Sequence, residues 1–139
     1  MKKATLLHAE LSHLVATLGH TDEYTICDAG LPIPASAQRI DLALTKGIPS
    51  FTDTVKTLLS ESQIEGVILA EEFAKVSPKL HDELLSVLHK EEQQCGKAFS
   101  ITYLPHEEFK TRTHHSKAVV RTGECTPYAN VIFQVGVVF

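Results

Sequence analysis

Several large protein classes are closed to this chain by what it lacks. Its 139 residues include only three cysteines, Cys27, Cys95 and Cys125. They are odd in number, widely spaced and never paired as C-x-x-C, which argues against a disulfide framework. No stretch approaches the roughly 20 consecutive apolar residues that a membrane span needs. After Lys2-Lys3, His8 and Glu10 interrupt the apolar start before it could act as the core of a secretory signal, so the expected compartment is the cytoplasm.

Positive charge is not in excess either. Thirteen basic residues stand against 17 acidic ones, a net charge of −4, and the basic residues are scattered rather than gathered into a stripe. Nucleic acid is therefore not the expected partner. Neither G-x-G-x-x-G nor G-x-x-x-x-G-K-[ST] occurs, so the common phosphate-cradling loops are missing. The eight histidines invite a metal reading, but their spacing does not support one. His8 and His13 are five apart, about 140° round a helix, His81 and His89 are too far apart along theirs, and the adjacent His114 and His115 point apart. No metal and no cofactor are expected.

What is present is ordinary globular composition, with 43% hydrophobic and 22% charged residues and no repeat or low-complexity tract. One domain over residues 1–139 is expected, long enough to bury about two-thirds of the surface of its unfolded chain. Leu11, Leu14, Val15 and Leu18 form one apolar stripe, which predicts a helix over 8–18. Gly19 is expected to cap it in the left-handed conformation. Residues 24–28 are too short and too apolar for anything but a buried strand, and Pro32 and Pro34 forbid its continuation.

A second strand is expected over 39–44, from the alternation of Ile40, Leu42 and Leu44. Ser50 with Asp53 resembles a capping box and opens a helix carrying Val55, Leu58 and Leu59. Residues 64–70 read as a third strand, Ser77-Pro78 as cap and first-turn proline of the longest helix, and Gly96 as its end. Strands over 98–104, 117–121 and 130–139 complete the pattern, with a short helix starting at 105–109. Four helices alternating with six strands predict an α/β fold, a helix/sheet/helix sandwich with a mixed, mostly parallel sheet. The apolar segment 135–139 is expected to need cover from the same domain or from another subunit, because an exposed apolar edge invites pairing.

The richest stretch is Leu18 to Pro34. It joins an imidazole at a helix end, an Asp at the carboxyl end of a buried strand, and a Gly/Pro turn, which is where α/β proteins bind small ligands. Each piece also has a plain structural reading: His20 as a surface residue at a helix end, Asp28 as a turn former. Cys125 is expected to be a buried structural thiol rather than a nucleophile. The remaining polar inventory, His20, Asp28, His106, Tyr128 and Asn130, suits acid/base chemistry near neutrality and recognition of hydroxyl groups.

At these residues the sequence resembles the family of ribose pyranases and fucose mutarotases. The likeness runs nearly end to end, through Met1-Lys2-Lys3, Leu18-Gly19-His20-Thr21-Asp22, the run from Cys27 to Pro34, Arg39-Ile40-Asp41, Gly47-Ile48-Pro49-Ser50-Phe51, Ala70-Glu71-Glu72, His106-Glu107 and the run from Gly123 to Asn130. Fucose mutarotases typically carry His-Phe-Pro in place of Gly30-Leu31-Pro32, and Tyr-Gly-Asn in place of Tyr128-Ala129-Asn130, which favours the ribose branch.

The resemblance implies an isomerase that interconverts the pyranose and furanose forms of free D-ribose and so supplies ribose for phosphorylation. It implies His20 as proton donor, and Asp28, His106, Tyr128, Ala129 and Asn130 as sugar-binding residues. It also implies a ring-shaped homo-oligomer, a decamer of two pentamers, with pockets near subunit boundaries. The competing expectations are a mutarotase of fucose or another free sugar, and a non-catalytic pentose-binding protein.

Overall fold

The apolar run before Asp28 forms strand β1 (Glu23–Cys27), all five residues of which are buried. A strand hidden on both faces belongs inside a sheet. In the computed structural model, which describes residues 1–139, β1 lies within a sheet of six. The others are β2 (Gln38–Asp41), β3 (Ile64–Ala70), β4 (Ser100–Leu104), β5 (Ser116–Arg121) and β6 (Val131–Val135), in the order β2-β5-β1-β6-β3-β4. β5 pairs in parallel with β1 and β2, and β3 with β4. β6 runs antiparallel between β1 and β3. It arrives through a loop rather than a crossover helix, so nothing obliges it to follow the direction of the rest.

Five α-helices cover the sheet: α1 (Ala9–Thr17), α2 (Phe51–Leu59), α3 (Glu71–Val76), α4 (Pro78–Cys95) and α5 (His106–Arg112). Successive strand residues point to opposite faces and feed two separate cores. Tyr24, Ile26, Val67, Leu69 and Phe133 pack with Leu11 and Leu14 of α1, Val55 and Leu58 of α2, Phe73 of α3, and Leu84 and Leu88 of α4. Cys27, Ile68, Val119 and Ile132 face the other way, under Phe109 of α5. The result is a helix/sheet/helix sandwich with one thick helical layer and one thin one.

Local chemistry explains most element boundaries. Ser50 Oγ accepts the Asp53 amide at 3.0 Å and starts α2. Pro78 opens α4, and Gly96, at φ 72°, closes it. His8 lies just outside α1, where its Nδ1 accepts the Leu11 amide at 3.3 Å.

Five expectations are corrected. The left-handed residue after α1 is Thr21, at φ 72°, not Gly19, whose amide instead donates to Asp22 Oδ2. β2 stops at Asp41, because the chain folds back at Thr45 and Ile48 and leaves Leu44 exposed. The helix α3 was not expected, which makes five helices rather than four. Ser77 makes no cap to α4 and donates instead to the Pro127 carbonyl at 2.7 Å. The last strand ends at Val135 and lies inside the sheet, so β1 and β3 cover it. Only Val138 and Phe139 of the apolar tail are exposed, and the edges of the sheet are β2 and β4.

Candidate active site

β1 to β5 all point the same way, and β6 begins where they end. The chain steps outward from β1 to β2 on one side and from β3 to β4 on the other. The carboxyl ends at such a reversal are where open α/β sheets hold ligands. Asp28 follows β1, His106 follows β4, and Tyr128 and Asn130 precede β6. These four residues, far apart along the chain, line one cavity of about 540 Å³.

The 28–32 turn is built on Asp28, whose Oδ1 accepts the Gly30 amide at 2.9 Å. The Asp28 amide in turn donates to Asn130 Oδ1 at 2.9 Å, locking the exit of β1 to the entry of β6. Burial raises the Asp28 carboxyl above the ordinary 3.8, while the Gly30 amide, the Asn130 side chain, the Leu31 amide and His106 pull it partly back. The Asn130 side chain is 1% exposed, and its Nδ2 has no partner. His106 Nδ1 is likewise buried and without a partner. Two such groups beside a carboxyl are costly to leave unmatched, and a polyhydroxylated ligand would satisfy both.

The imidazole of His106 is held by rings. It meets Tyr128 edge to face at 4.9 Å between centroids and stacks on Phe109 at 6.4 Å. Tyr128 has φ 62°, a left-handed backbone that costs a bulky residue on the order of 1–3 kcal/mol. The Asn130 amide closes the turn onto the Tyr128 carbonyl at 2.8 Å. Ala129, also expected at the site, is fully buried in the thicker core and does not line the cavity.

Two glutamates and a glycine that the sequence reading left without roles hold this architecture. Glu124 accepts the Ala29 amide on its carbonyl at 2.8 Å, the Phe51 amide on Oε1 at 3.2 Å and the Thr126 hydroxyl on Oε2 at 3.0 Å. Glu72 Oε2 accepts the His106 amide at 2.9 Å. A Cβ at Gly123 would lie 2.5 Å from the carbonyl oxygens of Thr45 and Ile48, so only glycine lets the loop press against that turn. The motif around Gly123 and Glu124 was visible in the sequence, but their long-range partners were not.

Cys125 is a correction. It is exposed and lines the cavity, whereas the buried thiol is Cys27, pushed up to about 12 by burial with Asp28 adding to the effect.

His20 lies elsewhere. It precedes the amino end of β1, where the neighbouring Thr21 amide donates to the Val135 carbonyl and His20 Nε2 meets Glu65 Oε2 at 3.0 Å. β1 alone, at about 3.3 Å per residue, separates it from Asp28 by roughly 16 Å. His20 lines a different cavity, of about 470 Å³, with Leu18, Gln63 and the segment from Val135 to Phe139. One protomer therefore does not bring His20 to the residues around Asp28. No helix is long and apolar enough to cross a membrane.

Residues 1–138 match the RbsD / FucU transport protein family. The D-ribose pyranases of Aliivibrio fischeri (strain MJ11) and Vibrio cholerae (strain ATCC 39315 / El Tor Inaba N16961) are each 70% identical over 139 residues, covering 100% of both chains. Among solved structures, Bacillus subtilis RbsD complexed with D-ribose is 44% identical, with a TM-score of 0.91 and 100% of both chains covered. The fucose mutarotase of Streptococcus pneumoniae, solved with L-fucose, covers 100% of both chains at a TM-score of 0.77 and 24% identity, a likeness of fold alone.

Proposed function

The chain belongs to the RbsD / FucU family, and on that premise we propose that it interconverts the pyranose and furanose forms of free D-ribose. One observation carries the reading. In a chain 70% identical over its full length to D-ribose pyranases, two buried polar groups without partners, Asn130 Nδ2 and His106 Nδ1, flank the Asp28 carboxyl in a single cavity. Such a cavity grips hydroxyl groups and offers a proton acceptor beside them.

Opening the pyranose ring breaks the bond between C1 and the ring oxygen. A proton leaves the anomeric hydroxyl, and another reaches the ring oxygen, giving the open aldehyde. The 4-hydroxyl then attacks C1 and surrenders its proton, while the carbonyl oxygen takes one up, and the furanose closes. Protons are the only species exchanged with the chain. Asp28, made more basic by burial, is the acceptor of the anomeric proton. Asn130, His106 and Tyr128 hold the sugar.

The donor is His20, reaching the cavity from an adjacent protomer. The support is geometric, because His20 and the cavity lie at opposite ends of the same strand. A head-to-tail contact between identical subunits sets one end against the other, and repeating that contact closes a ring when its rotation is a whole fraction of a turn. The assembly is a decamer of two pentameric rings with pockets at the boundaries, acting in the cytoplasm to supply ribofuranose for phosphorylation.

The test is saturation-transfer NMR on ribose with and without the protein. Faster exchange between ring forms is expected. Exchange at the rate of water alone would leave only a sugar-binding module, and faster exchange of L-fucose than of D-ribose would move the substrate to the other branch.

A further inference from the structure

α5 follows Pro105, and the amide of His106, the first in the helix, is one of the four that no carbonyl of the helix itself can serve. The partner comes from another element. Glu72, the second residue of α3, extends its carboxylate from the carboxyl end of β3 and takes this amide at 2.9 Å. Glu71, beside it, faces Lys75 on the surface at 4.0 Å, so only one of the two glutamates serves this purpose.

The rest of α5 is already fixed. Phe109 is fully buried in the thinner core, and Arg112 is paired with the buried Glu23 of β1 through Nε at 3.0 Å. The first turn, which carries the imidazole, is closed at its far side by the Phe109 amide on the Pro105 carbonyl at 2.9 Å, and its leading amide is left to Glu72. Phe109 and Tyr128 restrict the ring of His106, but they act on its faces and not on the backbone that aims it. Without Glu72 that amide would be half-buried and unmatched, and the turn would loosen where a misplacement of about 1 Å is enough to lose a contact with the sugar.

We infer that Glu72 is a positioning residue of the sugar site: it acts through the His106 backbone, holding the imidazole where its unpartnered Nδ1 meets a ribose hydroxyl. This rests on the cavity being the ribose site. The carboxylate does not line the cavity. What matters is the reach of its oxygen, since an amide oxygen at the same place would accept the same proton.

Three variants separate reach from charge. Glu72→Gln keeps the length and an acceptor, Glu72→Asp keeps the charge but is one methylene short, and Glu71→Gln is a neighbouring control. Two readouts are needed: KM and kcat for ring exchange, and hydrogen exchange of the His106 amide. Glu72→Asp is expected to raise KM about tenfold with kcat nearly unchanged and to speed amide exchange about tenfold, as loss of that hydrogen bond requires. Glu72→Gln and Glu71→Gln stay within about twofold of the parent on both. Wild-type KM in Glu72→Asp, or a KM in Glu72→Gln as high as in Glu72→Asp, overturns the assignment. A parent protein with no ring exchange refutes the ribose reading instead, and the amide measurement then still reports whether Glu72 secures His106.

Discussion

Asp28 is half-buried between Gly30 and Asn130, and burial holds its carboxyl above the ordinary 3.8. Because the folded chain keeps this proton more tightly than the unfolded chain, its contribution to stability is present at acid pH and is lost as pH rises through the raised value. Asp28→Asn removes that penalty while keeping an oxygen for the Gly30 amide. Its melting temperature relative to the parent is therefore expected to rise between about pH 4 and neutrality, with no gap below that range. With Asp28 as the proposed proton acceptor, catalysis is expected to respond in the opposite sense: parental ring exchange should fall on the acid side with a midpoint above 3.8, and Asp28→Asn should exchange ribose slowly at every pH. Equal melting temperatures throughout would remove the burial argument. For His20, which is exposed, His20→Ala is expected to slow ring exchange about 10²–10⁴-fold without loss of fold, the usual worth of a placed acid. Unchanged exchange would exclude it as the donor.

At the scale of elements, the loop from Thr122 to Asn130 depends on one contact that admits no side chain. Gly123 donates its amide to the Pro49 carbonyl at 2.9 Å and presses against the turn from Thr45 to Ile48. Gly123→Ala sets a Cβ against two backbone oxygens that cannot rotate away, so a loss of about 1–3 kcal/mol in denaturant unfolding is expected, together with weaker ribose binding as the loop shifts. Parental values for both would show that the loop yields at no cost.

The same elements show what the sequence made legible. β1, α2 and α4 were readable because their signals are local: an unbroken apolar run, a Ser50 cap, a Pro78 start and a Gly96 stop. α3 was not, because it follows β3 without a linker, has no side-chain cap and spans six residues, too few for a period to emerge. The interior place of β6 was hidden as well, since pairing partners are a tertiary choice that hydropathy does not encode. Asp28, His106, Tyr128 and Asn130 were readable as polar residues at strand ends. Glu72 and Glu124 were not, because their partners are amides 34 and 73 positions away.

For the whole molecule, a protomer carries His20, the proposed donor, at one end and the Asp28 cavity at the other. A mixture of His20→Ala and Asp28→Asn chains, refolded together, then contains some boundaries where an intact His20 faces an intact Asp28. Such a mixture is expected to recover roughly a quarter of the parental exchange rate, although each variant alone is nearly inactive. No recovery in mixed assemblies, or a monomeric mass by light scattering, would rule out a shared site.

β6 has one more consequence. It is the only seam between β2-β5-β1 and β3-β4, and its first residues bring Asn130 to Asp28. A chain cut short before residue 130 keeps the other five strands but loses this seam. Such a product lacks the Asn130 side chain that meets Asp28 in the cavity, so it is expected to show no partial ring exchange.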